Sequence, residues 1–490
     1  MTSFYICAES EKSKKIFLQA NNSALTYGDL LEKMGKINRL IASSALSAGD
    51  RILISSDDDA LMAVLFLALI DNGITPIVAT TEIRASEFEM IWQTTGMQGC
   101  IMDEVGLQRC CQQRHELKMR LAIKKPAAKG NFMAKLLGAK KNADVDTTVF
   151  PAVLESLDAI EPPAPCAMEH IAYILMTSGS TSNPKAVPIT RGAMFAHLAT
   201  LKKHWQYTAD SRLFNLLPLH HTDGLIQGPV IACFSGATWV RPFRFSIQNI
   251  EPMLLSFYRH SVTHAVFVPT ILSLVARLGS GVSDCFDYDE FRFLISAAGY
   301  LEKSLWLDFE HTFNVQVANI YGLTETVTGG IFCGPDAATR RIGSIGKPVD
   351  CEARIVQVNG TETHAEGVGE LLLRGANVFA GYLGREGVND GLFTDGWLRT
   401  GDLAHVDEEG FFHIVGRIKN VVICGGENVY PEEIAEVLGQ NPHVIETVCF
   451  GVDHREWGEI LVAALVLKEE YALEELVAWC EDRLSHFKIP

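Results

Sequence analysis

Apolar residues along this chain come in short runs whose length and texture change from one region to the next. The most apolar run, ALMAVLFLALI at 60–70, follows Asp57, Asp58 and Asp59 and is closed by Asp71. It is helical in length and far short of the ~20 residues that cross a bilayer. With no polar face inside it, the pattern predicts a helix buried on all sides. Shorter runs follow at 74–80 (ITPIVAT), 171–177 (IAYILMT), 214–219 (FNLLPL), 237–242 (ATWVRP), 264–270 (HAVFVPT) and 291–299 (FRFLISAAG). Each is followed by small or polar residues and then a helical pattern. Buried strands alternating with helices predict layered α/β sheets. Ligands in such folds sit off the carboxyl ends of strands. The loops at Ser178, His220, Ser296 and Tyr321 are therefore expected to face one crevice.

From 343 to 415 the runs become short, alternating and separated by glycine, as in EARIVQV, GELLLRG and FFHIVG. That texture predicts an antiparallel, β-barrel-like subdomain. After Gly416 the pattern predicts a helix (431–438), two strands (444–451 and 461–467) and a helix (473–484). A domain boundary is placed near Lys419, giving a large N-terminal domain, 1–418, and a small α+β domain, 419–490.

Composition narrows the partners. The 490 residues are 48% apolar, enough for a large core, and carry a net charge of −17 from 42 basic and 59 acidic side chains. So acidic a chain disfavours nucleic acid, and any anionic ligand must be held by local groups. The first residues lack a basic region followed by an apolar core, so no secretory signal and no transmembrane segment are expected. Twelve cysteines without a C-x-x-C pair read as free thiols of a reducing cytoplasm and not as zinc ligands. One segment, 114–141, holds Lys118, Arg120, Lys124, Lys125, Lys129, Lys135 and Lys140 against Glu116. It reads as a solvated insertion, with a surface for a membrane or an acidic partner as the alternative.

Candidate chemistry begins at MTSGSTSNPKAVPIT, 176–190. A Walker loop requires G-x-x-x-x-G-K-[S/T], which does not fit. Yet an apolar strand ends at Thr177, and a run of hydroxyls and backbone N–H groups follows, with Lys185 close behind. Such turns form anion-binding concavities; a surface turn rich in Ser and Asn is the other reading. HHTDG at 220–224 is two residues short of the H-H-x-x-x-D-G pattern of condensation-type acyltransferases and carries no metal spacing.

Three further motifs follow in order: NIYGLTET (319–326), LRTGDLAHVDEEGFFHIVGRIKN (398–420) and GGENVYPEEI (425–434). With the first, they resemble the adenylate-forming (AMP-binding) superfamily, most closely its acyl-CoA synthetases, from LTYGDL at 25–30 to the last residue. The resemblance implies an acid–thiol ligase. A carboxylic acid attacks the α-phosphate of ATP, and the acyl-adenylate is then taken by the thiol of coenzyme A. It implies that Thr177, Ser178, Gly179, Ser180, Thr181 and Lys185 wrap the β- and γ-phosphates. Tyr321 would stack on adenine, with Ala298, Gly299 and Gly322 at its edge. Thr324 would contact phosphate, Glu325 would hold Mg²⁺, and Asp402 with Arg417 would take the ribose. His221 would lie near the acid's carboxylate, where amino-acid-activating relatives carry an aspartate; Asp223 stands two residues later. Lys419 would be the hinge of a mobile C-terminal domain, and Gly425 and Gly426 would approach the pantetheine arm. An acyl carrier protein is the alternative acceptor. Ala297, Ala298, Gly299, Gly329 and Gly330 suggest room for a medium, long or aromatic acid.

Two departures stand out. Ser182 and Ala186 replace usual glycines, and a left-handed Ser182 would cost ~1–2 kcal/mol. The sequence also stops at LSHFKIP, before a lysine that the resemblance places further on. The expectation is a fragment of a longer enzyme with a weakened first half-reaction. A catalytically weak nucleotide-binding homologue is the competing reading, opposed by the intact Thr324, Glu325 and Asp402.

Overall fold

The computed structural model describes residues 3–110, 117–123, 148–150, 152–177, 184–357, 367–384, 387–424, 427–454 and 458–490. Ser178, Gly179, Ser180, Thr181, Ser182, Gly425 and Gly426 lie outside the described residues, as does most of segment 114–141.

Two largely parallel sheets carry the large domain. One has seven strands, in the order Thr148–Phe150, Met119–Ile123, Gly99–Asp103, Arg51–Ser55, Thr75–Val78, Ile171–Thr177 and Lys185–Thr190. Only its last pair is antiparallel, with Thr177 opposite Lys185. The other has nine strands, six of them parallel at its centre, from Val317–Tyr321 through Phe293–Ser296, His264–Phe267, Arg212–Asn215 and Thr238–Val240 to Ile16–Gln19. These central strands are buried on both faces, which is why they read as continuous apolar runs. The run at 214–219 forms a strand only to Asn215. Beyond it the chain leaves the sheet, and the guanidinium of Arg241 takes the carbonyls of Asn215 and Leu217 at 3.0 and 2.9 Å.

The run at 60–70 forms the helix Asp59–Asp71, capped by the Asp58 side chain and buried from Met62 onward. It shares a continuous core with strands of both sheets, so an apolar surface all round is what its place demands. At its end the Asp71 carboxylate takes N–H bonds from Phe4 (3.0 Å) and Tyr5 (2.7 Å). Burial still pushes that carboxyl up to about 6.

The third sheet is the antiparallel unit expected from 343–415, though its five strands pair as an open sheet with no closing pair among the described residues: Cys351–Val356, Gly369–Gly375, Trp397–Val406, Phe393–Thr394 and Phe412–Arg417. The fourth, of four antiparallel strands, lies C-terminal to it: Glu427–Val429, Val422–Cys424, Gly458–Leu467 and Val444–His454. Lys419 stands in the single turn Ile418–Asn420 that joins the third sheet to the fourth. The last helix closes at Glu481, three residues before the expected end. No helix among the described residues is long and apolar enough to cross a membrane.

Candidate active site

Three of the four loops expected at one crevice, those at His220, Ser296 and Tyr321, meet at one; the loop at Ser178 lies outside the described residues. A cavity of about 980 Å³ is lined by Thr177, Lys185, His220, His221, Asp223, Ala298, Gly322, Thr324, Glu325, Gly401, Arg417 and Lys419. A smaller one of about 150 Å³ shares Ala298, Gly322 and Arg417 with it and adds Gly299 and Tyr321. Of the described residues singled out in the sequence for nucleotide or acid, Thr177, Lys185, His221, Ala298, Gly299, Tyr321, Gly322, Thr324, Glu325 and Arg417 line one or the other; Asp402 reaches them through Tyr321 and Arg417, and Ala297, Gly329 and Gly330 line neither.

Strand ends supply this gathering. Val317–Tyr321 delivers Tyr321, and a short turn, Thr324–Thr326, presents Thr324 and Glu325. The Thr326 hydroxyl accepts from the Leu323 amide at 2.9 Å and closes the turn. The chain at 375–382 then clasps it. Phe379 N–H donates to the Glu325 carbonyl at 2.8 Å, and Asn377 Nδ2 donates to the carbonyls of Thr326 (3.2 Å) and Gly329 (3.0 Å). Two residues nearby hold left-handed backbone without being glycine: Ala298 at φ 64° and Val327 at φ 71°. Such conformations persist only where the surroundings over-determine them.

Asp402 lies within a strand and not in a turn. Thr400, Gly401 and Asp402 belong to Trp397–Val406, where the register against Gly369–Gly375 shifts. Gly401, at φ 73°, supplies the left-handed residue of that irregularity. The carboxylate is held from two sides, by the Tyr321 hydroxyl at 2.6 Å and Arg417 Nε at 2.7 Å. Burial nonetheless pushes its carboxyl up, against the pull of Arg417 and Tyr321. Burial also drives the Tyr321 hydroxyl far up, so it keeps its proton and donates.

The two histidines differ in exposure. His220 is half-buried and His221 exposed, with ring centres 4.5 Å apart. Burial and the neighbouring His221 push His220 down to about 4, and burial also lowers His221. At neutral pH His220 is uncharged, and the same downward shift favours the uncharged, hydrogen-bonding form of His221 over a fixed cation. Thr222 links this loop to the turn Thr324–Thr326 through Thr324, hydroxyl to hydroxyl at 3.5 Å.

Three groups of side chains escaped sequence reasoning. Tyr382 donates to Glu325 Oε1 at 2.6 Å, and Lys185 Nζ lies 4.5 Å above its ring. Thr328 bonds His197 Nε2 at 2.7 Å, and His197 Nδ1 bonds Asp350 at 2.6 Å. Gln227 Nε2 donates to Asp223 Oδ1 at 2.7 Å. Each joins residues far apart in sequence or buried behind the wall, and no local pattern marks them.

One expectation is overturned. Gly329 and Gly330 do not open room for an acid. A side chain at Gly329 would stand 2.6 Å from the His197 ring, and one at Gly330 would meet Cys351 Sγ at 3.0 Å. These glycines let other side chains in.

The model of the AMP-binding enzyme family matches residues 7–383, and that of the AMP-binding enzyme C-terminal domain matches 433–490. The chain is 29% identical over 472 residues to a sulfoacetate–CoA ligase of Cupriavidus necator, covering 95% of this chain and 88% of that one. It is 32% identical over 337 residues to a 2-succinylbenzoate–CoA ligase of Bacillus subtilis, covering 69% and 67%. Among solved structures it resembles the Bacillus subtilis o-succinylbenzoate CoA synthetase bound to its acyl-adenylate intermediate, at TM-score 0.82 and 26% identity, covering 100% and 93%.

Proposed function

The chain belongs to the AMP-binding enzyme family, and on that premise we propose an AMP-forming acid–thiol ligase using ATP and coenzyme A. A carboxylate is a poor electrophile for a thiol. Its oxygen therefore attacks the α-phosphorus of ATP, the bond to the bridging oxygen breaks, and pyrophosphate leaves. The thiol sulfur then attacks the acyl carbon, and AMP departs with the bonding pair. The observation that carries this reading is the convergence of Thr177, Lys185, His221, Thr324 and Glu325 on one cavity that also opens to Arg417.

Roles follow from chemistry. Lys185 and the hydroxyls of Thr177 and Thr324 face the phosphates, joined by Ser178, Gly179, Ser180 and Thr181. The adenine lies against Tyr321 between Ala298, Gly299 and Gly322. Asp402 and Arg417 take the ribose, and the neutral His221 receives the acid's carboxylate. Positioning of the two reactants is the main rate factor such a site supplies. The Tyr382 bond to Oε1 leaves Glu325 Oε2 without a partner among the described residues. One hard oxygen beside substrate phosphates suits Mg²⁺, which keeps several waters. When bound, the ion neutralises phosphate charge. Lys419 is the hinge between half-reactions, with the division at 418/419, and Gly425 and Gly426 border the pantetheine arm. A carrier protein presents the same phosphopantetheine thiol, but the named relatives are CoA ligases, which favours the free cofactor.

The test supplies ATP, Mg²⁺ and a carboxylic-acid panel, with coenzyme A or a carrier protein as acceptor, and identifies products by mass spectrometry. Acyl-CoA is expected. A loaded carrier with no acyl-CoA would move the acceptor, and ADP in place of AMP would sink the mechanism.

A further inference from the structure

The acid end of the cavity has a polarity of its own. From His221, which is exposed, the wall runs inward to half-buried Asp223 and fully buried Gln227. An acid held by its carboxylate at His221 therefore extends toward Asp223. Asp223 lines the cavity. Among the described residues its donors are Gln227 Nε2 at 2.7 Å and its own backbone amide. The Gln227 carbonyl oxygen is buried and has no partner among the described residues.

Thr328 adds a third acceptor. Asp350 fixes the Nδ1–H tautomer of fully buried His197, because a carboxylate can only accept. His197 Nε2 then accepts from the Thr328 hydroxyl. Its proton is spent inward, and Thr328 offers the cavity lone pairs. Of the cavity's cations, Lys419 stands in the turn Ile418–Asn420, away from the helical stretch that carries Asp223, and three are engaged with other groups. Lys185 sits over Tyr382, Arg417 pairs with Asp402, and Arg399 pairs with Glu370.

We propose that the activated acid carries a hydrogen-bond donor (a hydroxyl, amide N–H or ammonium) at its end remote from the reacting carboxylate, received by Asp223 and Thr328. Acids with a second anionic group are rejected, since they would bring charge against acceptors that have no proton to give. The inference rests on the ligase reading and names the substrate class of the same site.

The full-length chain is assayed with ATP, Mg²⁺ and coenzyme A against straight-chain acids of three to six carbons. At each length the far end is hydroxyl, ammonium, methyl or carboxylate. Pyrophosphate release and acyl-CoA mass are read together. The best donor-terminated acid is expected to exceed the dicarboxylic acid of its length at least tenfold in kcat/KM. Asp223→Asn keeps an oxygen for Gln227 and should shrink the ammonium-over-methyl preference about tenfold. Dicarboxylic or methyl-terminated acids turned over best would overturn this inference alone. No acyl-CoA from any acid, with no ATP binding, would overturn the ligase reading and this inference with it.

Discussion

The two ends of the cavity are built in different ways. The end proposed for the nucleotide is assembled from contiguous motifs: Tyr321 to Glu325 at the end of one strand, Gly401 and Asp402 at a bulge within another, Arg417 at the end of a third. The acid end is assembled from single residues on separate elements, with Asp223 and Gln227 on one short helical stretch, Thr328 beyond the turn Thr324–Thr326 and His197 on helix Arg191–His204. A phosphate or a ribose is the same in every reaction of this kind, so its contacts can be written as local patterns. An acid differs from case to case, and its wall can change one residue at a time without disturbing the nucleotide.

That contrast can be broken or sharpened by substitution. The largest effect is expected at Glu325. Glu325→Gln should lower the rate of pyrophosphate formation ~10²–10³-fold, the usual loss for one preorganised electrostatic group; a fall smaller than tenfold would remove Glu325 from the chemistry. Asp402→Asn comes next. It weakens charge-assisted bonds, and ~1.5–3 kcal/mol corresponds to a rise of roughly ten- to a hundredfold in the KM for ATP, the KM for the acid staying within about twofold. Comparable rises in both would erase the division between the two ends. Tyr382→Phe keeps the ring under Lys185 and deletes only the bond to Glu325; about 1 kcal/mol gives roughly a fivefold loss in kcat/KM. An unchanged rate would make Tyr382 packing alone.

The smallest effect is in pH. Burial raises the Asp223 carboxyl to about 6, with Tyr173 and His197 the titratable groups facing it from neighbouring elements. The sign follows from the raised value: below about 6 the group is protonated and neutral, and above it the carboxylate is available to an ammonium. For an ammonium-terminated acid, kcat/KM should fall about twofold or more as pH drops through 6, and this limb should vanish in Asp223→Asn. A limb that persists in the variant belongs to another group.

Much of the frame was legible in the sequence because buried parallel strands must be apolar on both faces. The strand at 171–177 was bounded correctly for that reason. The helix at 60–70 was legible because nothing polar interrupts it. What misled was local composition read without its neighbours. Gly329 and Gly330 look like open space along the chain, but His197 arrives from 132 positions earlier and fills the first. Leu216 and Leu217 look like strand, but Arg241 captures the backbone beside them. Tyr382 carried no signal, since its partner Glu325 is 57 residues away.

Arg417 stands immediately before the turn Ile418–Asn420, and its guanidinium grips Asp402 at 2.7 Å. On the proposed placement of the ribose at Asp402, a twist delivered to that turn is transmitted to the ribose through one side chain. The same lever works in reverse: occupancy at Asp402 adds friction to any swing of the chain beyond residue 420. The dwell time of the nucleotide and the stiffness of this joint are then a single mechanical quantity, readable as slower amide exchange at 418–424 when the cavity is filled.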